Sequence, residues 1–338
     1  MPTLDLKFEL LEHRPLPPEY LDFICTGLHE NIEQQLKYLS AQLGYAVTYN
    51  AKKLHDHRRG MSKDEWFYEY QKLNLTDILV CLHKGRIVGF VEFMIHDLFS
   101  SCYDLYVRNC ASVELKQIYV DKKYRRTKIG TALINEAYKR AQSYNHVKYL
   151  TLNVNAFNYS AISFFCRLHM RVAENHYCIQ DVTSSSMGSY LQILKPQLLD
   201  PRYDDPAFAI ASRQLREQIR VDAHVIPELG AMETQIVNKV CYDIINERRF
   251  VCLLNAGEDG WCSAGVAGGG MILMQPLIFA QDLYRSSPSK IKAYIETLAH
   301  ELRKAYDADT FVIRATDRDQ CKILESQGCK LYQQRYIL

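Results

Sequence analysis

The residues best suited to chemistry form the run Tyr124-Arg125-Arg126-Thr127-Lys128-Ile129-Gly130-Thr131-Ala132. It leads into Leu133, Ile134, Ala137, Tyr138 and Ala141, which recur at the spacing of one helical face. A basic turn at a helix N-terminus gathers free backbone N–H groups and the positive end of the helix dipole, an arrangement suited to a pyrophosphate. A plain solvated basic turn accounts for the same residues. Upstream, Glu114 lies on the alternating run Val113–Val120 and shares a face with Lys116, Ile118 and Val120. A carboxylate there can take a proton from an amine if burial raises its pKa toward neutrality, or it can pair structurally with Lys116.

Other chemistry-bearing residues point to bland roles. His55-Asp56-His57 lacks a third ligand and reads as a hydrophilic loop, and Gly265-Val266-Ala267-Gly268-Gly269-Gly270, with no helix or cation after it, reads as a turn or β-bulge. The 11 cysteines show no CxxC pair and no zinc spacing, so Cys102, Cys110, Cys321 and Cys329 are expected to be reduced thiols and no metal is expected.

The elements that must hold the basic turn can be followed along the chain. Phe8–Leu11 reads as a strand, Pro17 onward to Leu39 as a helix, and Asp64–Leu73 as a second short helix. Asp77–Leu82 and Ile87–Phe93 around Lys84-Gly85-Arg86 form a β-hairpin pattern. After the turn and its helix come a strand at Tyr149–Val154 and a helix at Tyr159–Leu168. The order repeats in the second half, with Leu277–Ala280, a helix through Ile291, Ile295, Leu298 and Leu302, a strand at Phe311–Ile313 and a helix at Gln320–Glu325. Tyr124 and Tyr284 are offset by 160, and His169 and Gly328 by 159, which marks a degenerate internal duplication. Its counterpart of the basic turn, Arg285-Ser286-Ser287-Pro288-Ser289-Lys290, lacks glycine and has a proline without an N–H, so anion binding there is expected to be impaired. Pro196 and Asp200–Pro206 form the linker, giving an N-terminal domain at 1–190, a linker at 191–206 and a C-terminal domain at 207–338.

At 338 residues the chain exceeds the roughly 250–300 at which one core stops growing. With 41 Lys plus Arg against 39 Asp plus Glu, net charge is only +2, so charge offers no support for nucleic-acid binding. No apolar run approaches the ~20 residues of a bilayer span, and the charged N-terminus is no signal-peptide core, so a cytoplasmic, non-membrane protein is expected. An internal duplication can replace a homodimer interface, which favours a monomer.

Taken with its surroundings, the basic turn resembles the acetyl-CoA motif of the GNAT superfamily of N-acetyltransferases: Arg or Gln, two residues, Gly, one residue, then Gly or Ala, between a strand and a helix. Arg125 opens it, Lys128 replaces the first glycine, and Gly130 continues in register. A second motif follows at Asn158, Ala161 and Phe164-Phe165, and the likeness covers about Phe8 to Val182. The resemblance implies an α/β chain of tandem GNAT folds, each a mixed, mostly antiparallel sheet flanked by helices, the second copy degenerate. It implies acetyl-CoA as cosubstrate, with Ile118, Tyr119 and Val120 along the pantetheine, Arg125, Arg126, Thr127, Lys128, Ile129, Gly130 and Thr131 at the phosphates, and Asn158 and Phe165 beside the arm. Glu114 is the implied base. Phe165 stands where many members have the tyrosine that protonates the leaving thiol, leaving Tyr159, Cys166, Tyr124 or water for that task. The acceptor would be an amine on a protein or small molecule. The alternative is a non-catalytic acyl-CoA-binding protein whose second half recruits a partner, and a tandem chain of this kind could also act in a host cytosol after export without a cleavable signal.

Overall fold

The structure is a computed structural model that describes residues 5–11, 16–43, 62, 65, 67, 76–100, 105–143, 147–179, 192–194, 216, 219–220, 223–237, 250–255, 259–267, 271–278 and 310–338. Two compact units emerge, and neither is a continuous stretch of chain. The first comprises Met1–Leu98, Arg108–Arg171 and Arg335–Leu338; the second comprises Phe99–Val107 and Val172–Gln334. The linker at 191–206, most of the expected helix at 64–73, the expected helix at 291–302, the run 285–290 and His55–His57 lie outside the described residues, apart from the short strand 192–194 and positions 65 and 67.

In the first unit, β1 (Leu6–Leu11), β2 (Asp77–His83), most of β3 (Arg86–Ser100), most of β4 (Leu105–Val120) and β5 (Val147–Asn155) lie side by side in that order. β1, β2 and β3 pair antiparallel, while β4 and β5 are parallel. The β2–β3 hairpin turns on Lys84 and Gly85 at φ +52° and +76°, the left-handed pair that matches the strand twist. Alternation along the strands sorts side chains to two faces. Ile78, Val80 and Phe90 join Leu21, Ile24 and Leu28 of helix α1 (Pro18–Leu43). Leu79, Val91, Phe93, Val113 and Leu115 join Leu133, Ile134 and Ala137 of helix α2 (Ile129–Gln142) and Phe165 of helix α3 (Tyr159–Arg167). Each fully buried aliphatic side chain contributes about 1.5–3 kcal/mol, so the sheet is held from both sides. Helix α1 seats closely because Gly27 has no side chain: a Cβ there would lie 2.6 Å from Phe90 Cε1 and 2.7 Å from Tyr119 Cγ.

The second unit contains β6 (Arg171–Ile179), β7 (Gln192–Leu194), helix α4 (Pro227–Ala231), β8 (Phe250–Asn255), β9 (Asp259–Ala267), β10 (Met271–Ile278), β11 (Thr310–Ala315), helix α5 (Arg318–Ser326) and most of β12 (Lys330–Ile337). Its strand order is β12-β6-β11-β10-β9-β8-β7, with β10 and β11 parallel and the other registered pairs antiparallel. The expected glycine-rich turn falls partly on β9, where Gly265, Val266 and Ala267 pair with β10.

The duplication is visible element by element. α3 and α5 each have nine residues and begin at an equivalent N-cap, Asn158 accepting from Ala161 N–H at 3.1 Å and Asp317 from Gln320 N–H at 2.8 Å. Each ends on a left-handed residue, His169 at φ +61° and Gly328 at φ +80°. The strands that follow are exchanged. β6, which follows α3, pairs antiparallel with β11 in the second unit. The end of β12, which follows α5, joins the first unit, where Leu338 and Leu150 exchange backbone hydrogen bonds of 2.9 and 3.2 Å. Equivalent tyrosines seal the exchange: Tyr336 hydrogen-bonds Cys166 of α3, and Tyr177 donates to Glu325 of α5 at 2.7 Å. Cys166 and Glu325 are themselves equivalent positions, again offset by 159.

Candidate active site

β4 and β5 pair as neighbours only as far as Leu115 with Leu152. Beyond that point an open groove lies between Lys116-Gln117-Ile118 of β4 and Asn153-Val154-Asn155 of β5. β4 also slips in phase here. Val113, Leu115, Ile118 and Val120 all face the α2 side while Tyr119 packs under α1, so one extra residue is accommodated between Leu115 and Ile118, the signature of a bulge. A slip of this kind releases backbone groups from strand pairing at the groove wall.

Helices close the groove from both faces of the sheet. α3 contributes Asn158, Ala161 and Phe165, and α1 contributes Asn31, Gln34 and Gln35. Asn31 Nδ2 donates to Gln117 Oε1 at 3.0 Å and to Ile118 O at 3.2 Å, which fixes the α1 side of the wall.

The basic turn follows β4 through the short 3-10 segment Lys122–Tyr124. Arg126 and Lys128 both adopt left-handed backbone, at φ +66° and +67°, and Lys128 is the N-cap of α2. Lys128, which stands at the place of the first motif glycine, therefore holds a conformation that favours glycine. No side chain caps α2; its first internal bond is Ala132 N–H to Lys128 O at 3.0 Å, which leaves the N–H groups of Ile129, Gly130 and Thr131 at the helix end. Arg126, Thr127 and Lys128 are exposed. Thr127 Oγ1 donates to Tyr124 O, tying the turn closed. Gly130 has a packing role as well: a Cβ there would meet Phe164 Cζ at 3.3 Å, so its absence lets α2 and α3 approach.

Arg125 is directed elsewhere than the helix end. Its Nε donates to Val120 O at 3.0 Å, its guanidinium lies 5.8 Å from the centre of the Tyr119 ring, and Glu30 of α1 stands 4.0 Å away. Glu30 also meets Lys122 at 3.3 Å. Burial, with help from the Glu30 carboxylate, raises the Tyr119 hydroxyl above its ordinary pKa, so it remains a neutral donor.

The expected site residues are thus partly gathered. Ile118, Asn158 and Phe165 line the groove, and Arg126, Thr127, Lys128, Ile129, Gly130 and Thr131 surround the helix end. Tyr119 and Ile129 are core side chains, at 8% and 1% exposure, and only their backbone is offered to a ligand. Glu114 pairs with Lys116 at 2.9 Å and is 14% exposed, on the sheet face opposite Val113 and Leu115. Tyr159 stands apart: it is 67% exposed at the start of α3, against Phe157 and away from the groove lining. The amides Asn31, Gln34, Gln35, Gln117, Asn153 and Asn155 went unremarked in the sequence. No local pattern marks them, because α1 and β4 meet only through tertiary packing. Among the described residues no group of three His, Cys, Asp or Glu could hold a metal, and no helix is long and apolar enough to cross a membrane. Cys321 and Cys329 are free thiols; Cys102 lies outside the described residues.

In the first unit, then, a parallel strand pair opens around a groove and an uncapped helix end stands beside it. Residues 48–170 match the family model described as acetyltransferase (GNAT) family. No curated protein sequence matches the chain significantly. Among solved structures, the chain is similar to a tandem GNAT protein from the clavulanic acid biosynthesis pathway, solved without acetyl-CoA, at 15% identity and TM-score 0.41, covering 78% of this chain and 82% of that one. A GCN5-related N-acetyltransferase from Sphaerobacter thermophilus matches at 11% identity and TM-score 0.45, covering 82% and 86%. A ribosomal-protein-alanine N-acetyltransferase from Brucella melitensis matches at 18% identity and TM-score 0.31, covering 48% and 86%.

Proposed function

We propose that the chain transfers an acetyl group from acetyl-CoA to an amine, with the working site in the first unit. The observation that carries this reading is the groove opened by the splay of β4 from β5, flanked by the uncapped N-terminus of α2. The residues fit the cosubstrate. N–H groups at Ile129, Gly130 and Thr131, with the Arg126 and Lys128 charges, suit its phosphates, and the polar groove wall with Asn158 suits the amides of its pantetheine arm. When bound, acetyl-CoA supplies an activated thioester. Glu114 takes the proton of the attacking amine, Lys116 keeps that carboxylate oriented, and backbone N–H groups freed by the slip in β4 stabilise the oxyanion. Solvent at the open groove supplies the proton on the thiol side, because Phe165 has none to give and Tyr159 faces outward.

Two measurements test this. In calorimetric titration with acetyl-CoA, Arg126→Gly/Lys128→Gly removes both charges while keeping a backbone free to be left-handed, and affinity is expected to fall about tenfold or more. With a panel of N-terminal peptides, lysine peptides, spermidine and an aminoglycoside, thiol release is expected to drop about 10²- to 10⁴-fold in Glu114→Gln. Tight acetyl-CoA binding with no amine-dependent turnover would favour the non-catalytic acyl-CoA-binding alternative instead.

A further inference from the structure

Two hydroxyls beside Glu114 are unaccounted for. Ser112 and Thr151 are 0% and 1% exposed, and among the described residues neither Ser112 Oγ nor Thr151 Oγ1 has a hydrogen-bond partner. A buried hydroxyl left without a partner costs about 1–3 kcal/mol, so two together in one place need an explanation. Their placement supplies it. Val113 and Leu115, like Leu150 and Leu152, face the α2 side, so Ser112, Glu114 and Thr151 share the opposite face. Ser112 is two residues before Glu114 on the same strand, and Thr151 is the cross-strand partner of Glu114. The carboxylate is therefore flanked by an orphan hydroxyl along its strand and another across it.

Resting on the reading of Glu114 as base, we propose that Ser112 and Thr151 are positioning residues which share one buried water with the Glu114 carboxylate and hold it aimed. Each hydroxyl then has a partner, and the water, with three polar neighbours, has the number that buried waters ordinarily make. The site excludes a larger ligand because both hydroxyls are sealed from solvent. Lys116, at 2.9 Å, is the counter-charge. The titratable groups described on this face include buried Glu92 of β3, which accepts from Thr76, Tyr119 of β4, and Tyr149 of β5, the strand partner of Ser112. Helix α1, which touches β5, carries His29, Glu30 and Glu33 in its middle turns.

The test is a ¹³C NMR titration of the Glu114 carboxyl in the full chain, its signal assigned by loss in Glu114→Gln. Ser112→Ala/Thr151→Val leaves the water with Glu114 as its one remaining partner of the three and so loosens its hydrogen bond to the charged form, and the midpoint is expected to move up by about one pH unit. Ser112→Thr and Thr151→Ser, which keep the hydroxyls, are expected to leave it in place. Thr151→Val alone conserves shape and carries the test if the double variant does not fold. An unmoved or lowered midpoint overturns the proposal, as does a crystal structure with no water between Ser112, Thr151 and Glu114. The base reading fails separately: if Glu114→Gln keeps full turnover while the midpoint still shifts, the positioning stands and the catalytic role does not.

Discussion

Lys128 shows what one residue contributes twice. As a charge it faces solvent at the end of α2, and as a backbone it sits at φ +67°, a conformation that costs a non-glycine residue about 1–2 kcal/mol. Lys128→Gly relieves that strain at the cost of greater freedom in the unfolded chain, so a net gain of about 0.5–1 kcal/mol is expected. Thermal denaturation with and without acetyl-CoA checks it: the free protein should melt higher than wild type, while the upward shift caused by acetyl-CoA should shrink. A lower melting point in the free protein would show that the Lys128 side chain stabilises the turn by more than its backbone strains it. The sequence sets this lysine at the place of the first motif glycine. It could not show that Arg125, the first motif residue, is drawn back to Val120, Tyr119 and Glu30, since Glu30 is brought there only by the seating of α1.

At the scale of elements, the duplication provides an internal comparison. α3 and α5 end in the same way, with Met170 N–H bonding Phe165 O at 3.2 Å and Cys329 N–H bonding Leu324 O at 3.0 Å, but the left-handed residue is His169 in one and Gly328 in the other. His169→Gly is therefore expected to stabilise the first unit by about 0.5–1 kcal/mol, and Gly328→Val to destabilise the second by more than that. Chemical denaturation midpoints of the two variants should move in opposite directions. The helices and most strands were legible because their signals are short-range: the apolar stripe of α2, the turn at Lys84-Gly85, the caps at Asn158 and Asp317. The pairing of β6 with β11 and of β12 with β5 carries no such signal. A strand between two apolar neighbours has the same pattern whichever neighbour it joins.

For the whole molecule, that exchange means the first unit depends on the far end of the chain. Tyr336 and Ile337 are each 2% exposed, Tyr336 within the same cluster as Leu115 and Phe165, and Leu338 bonds the edge of β5 that leads to the groove. Deleting Arg335–Leu338 is expected to cost the first unit about 4 kcal/mol or more and to abolish acetyl-CoA binding, although every motif residue remains. Tyr336→Phe, which loses only the bond to Cys166, is expected to cost about 1 kcal/mol and to keep binding. Calorimetry on both variants checks this, and retained binding in the truncated chain would show that β5 is held without its terminal partner.

From the sequence alone came the length for two copies, their offset near 160, the basic turn before α2, Glu114 with Lys116 two residues on, and the second motif at Asn158. All rest on spacing along the chain, which local backbone geometry reads directly. Tertiary structure alone decided which residues face one another across the groove, that Asn31 of α1 braces Gln117 and Ile118, that Tyr159 faces away, that β6 pairs in the second unit and that the end of β12 joins the first. Those outcomes depend on which buried surfaces meet, and contacts between residues far apart in the chain are selected by the packing of the whole core rather than by any local pattern.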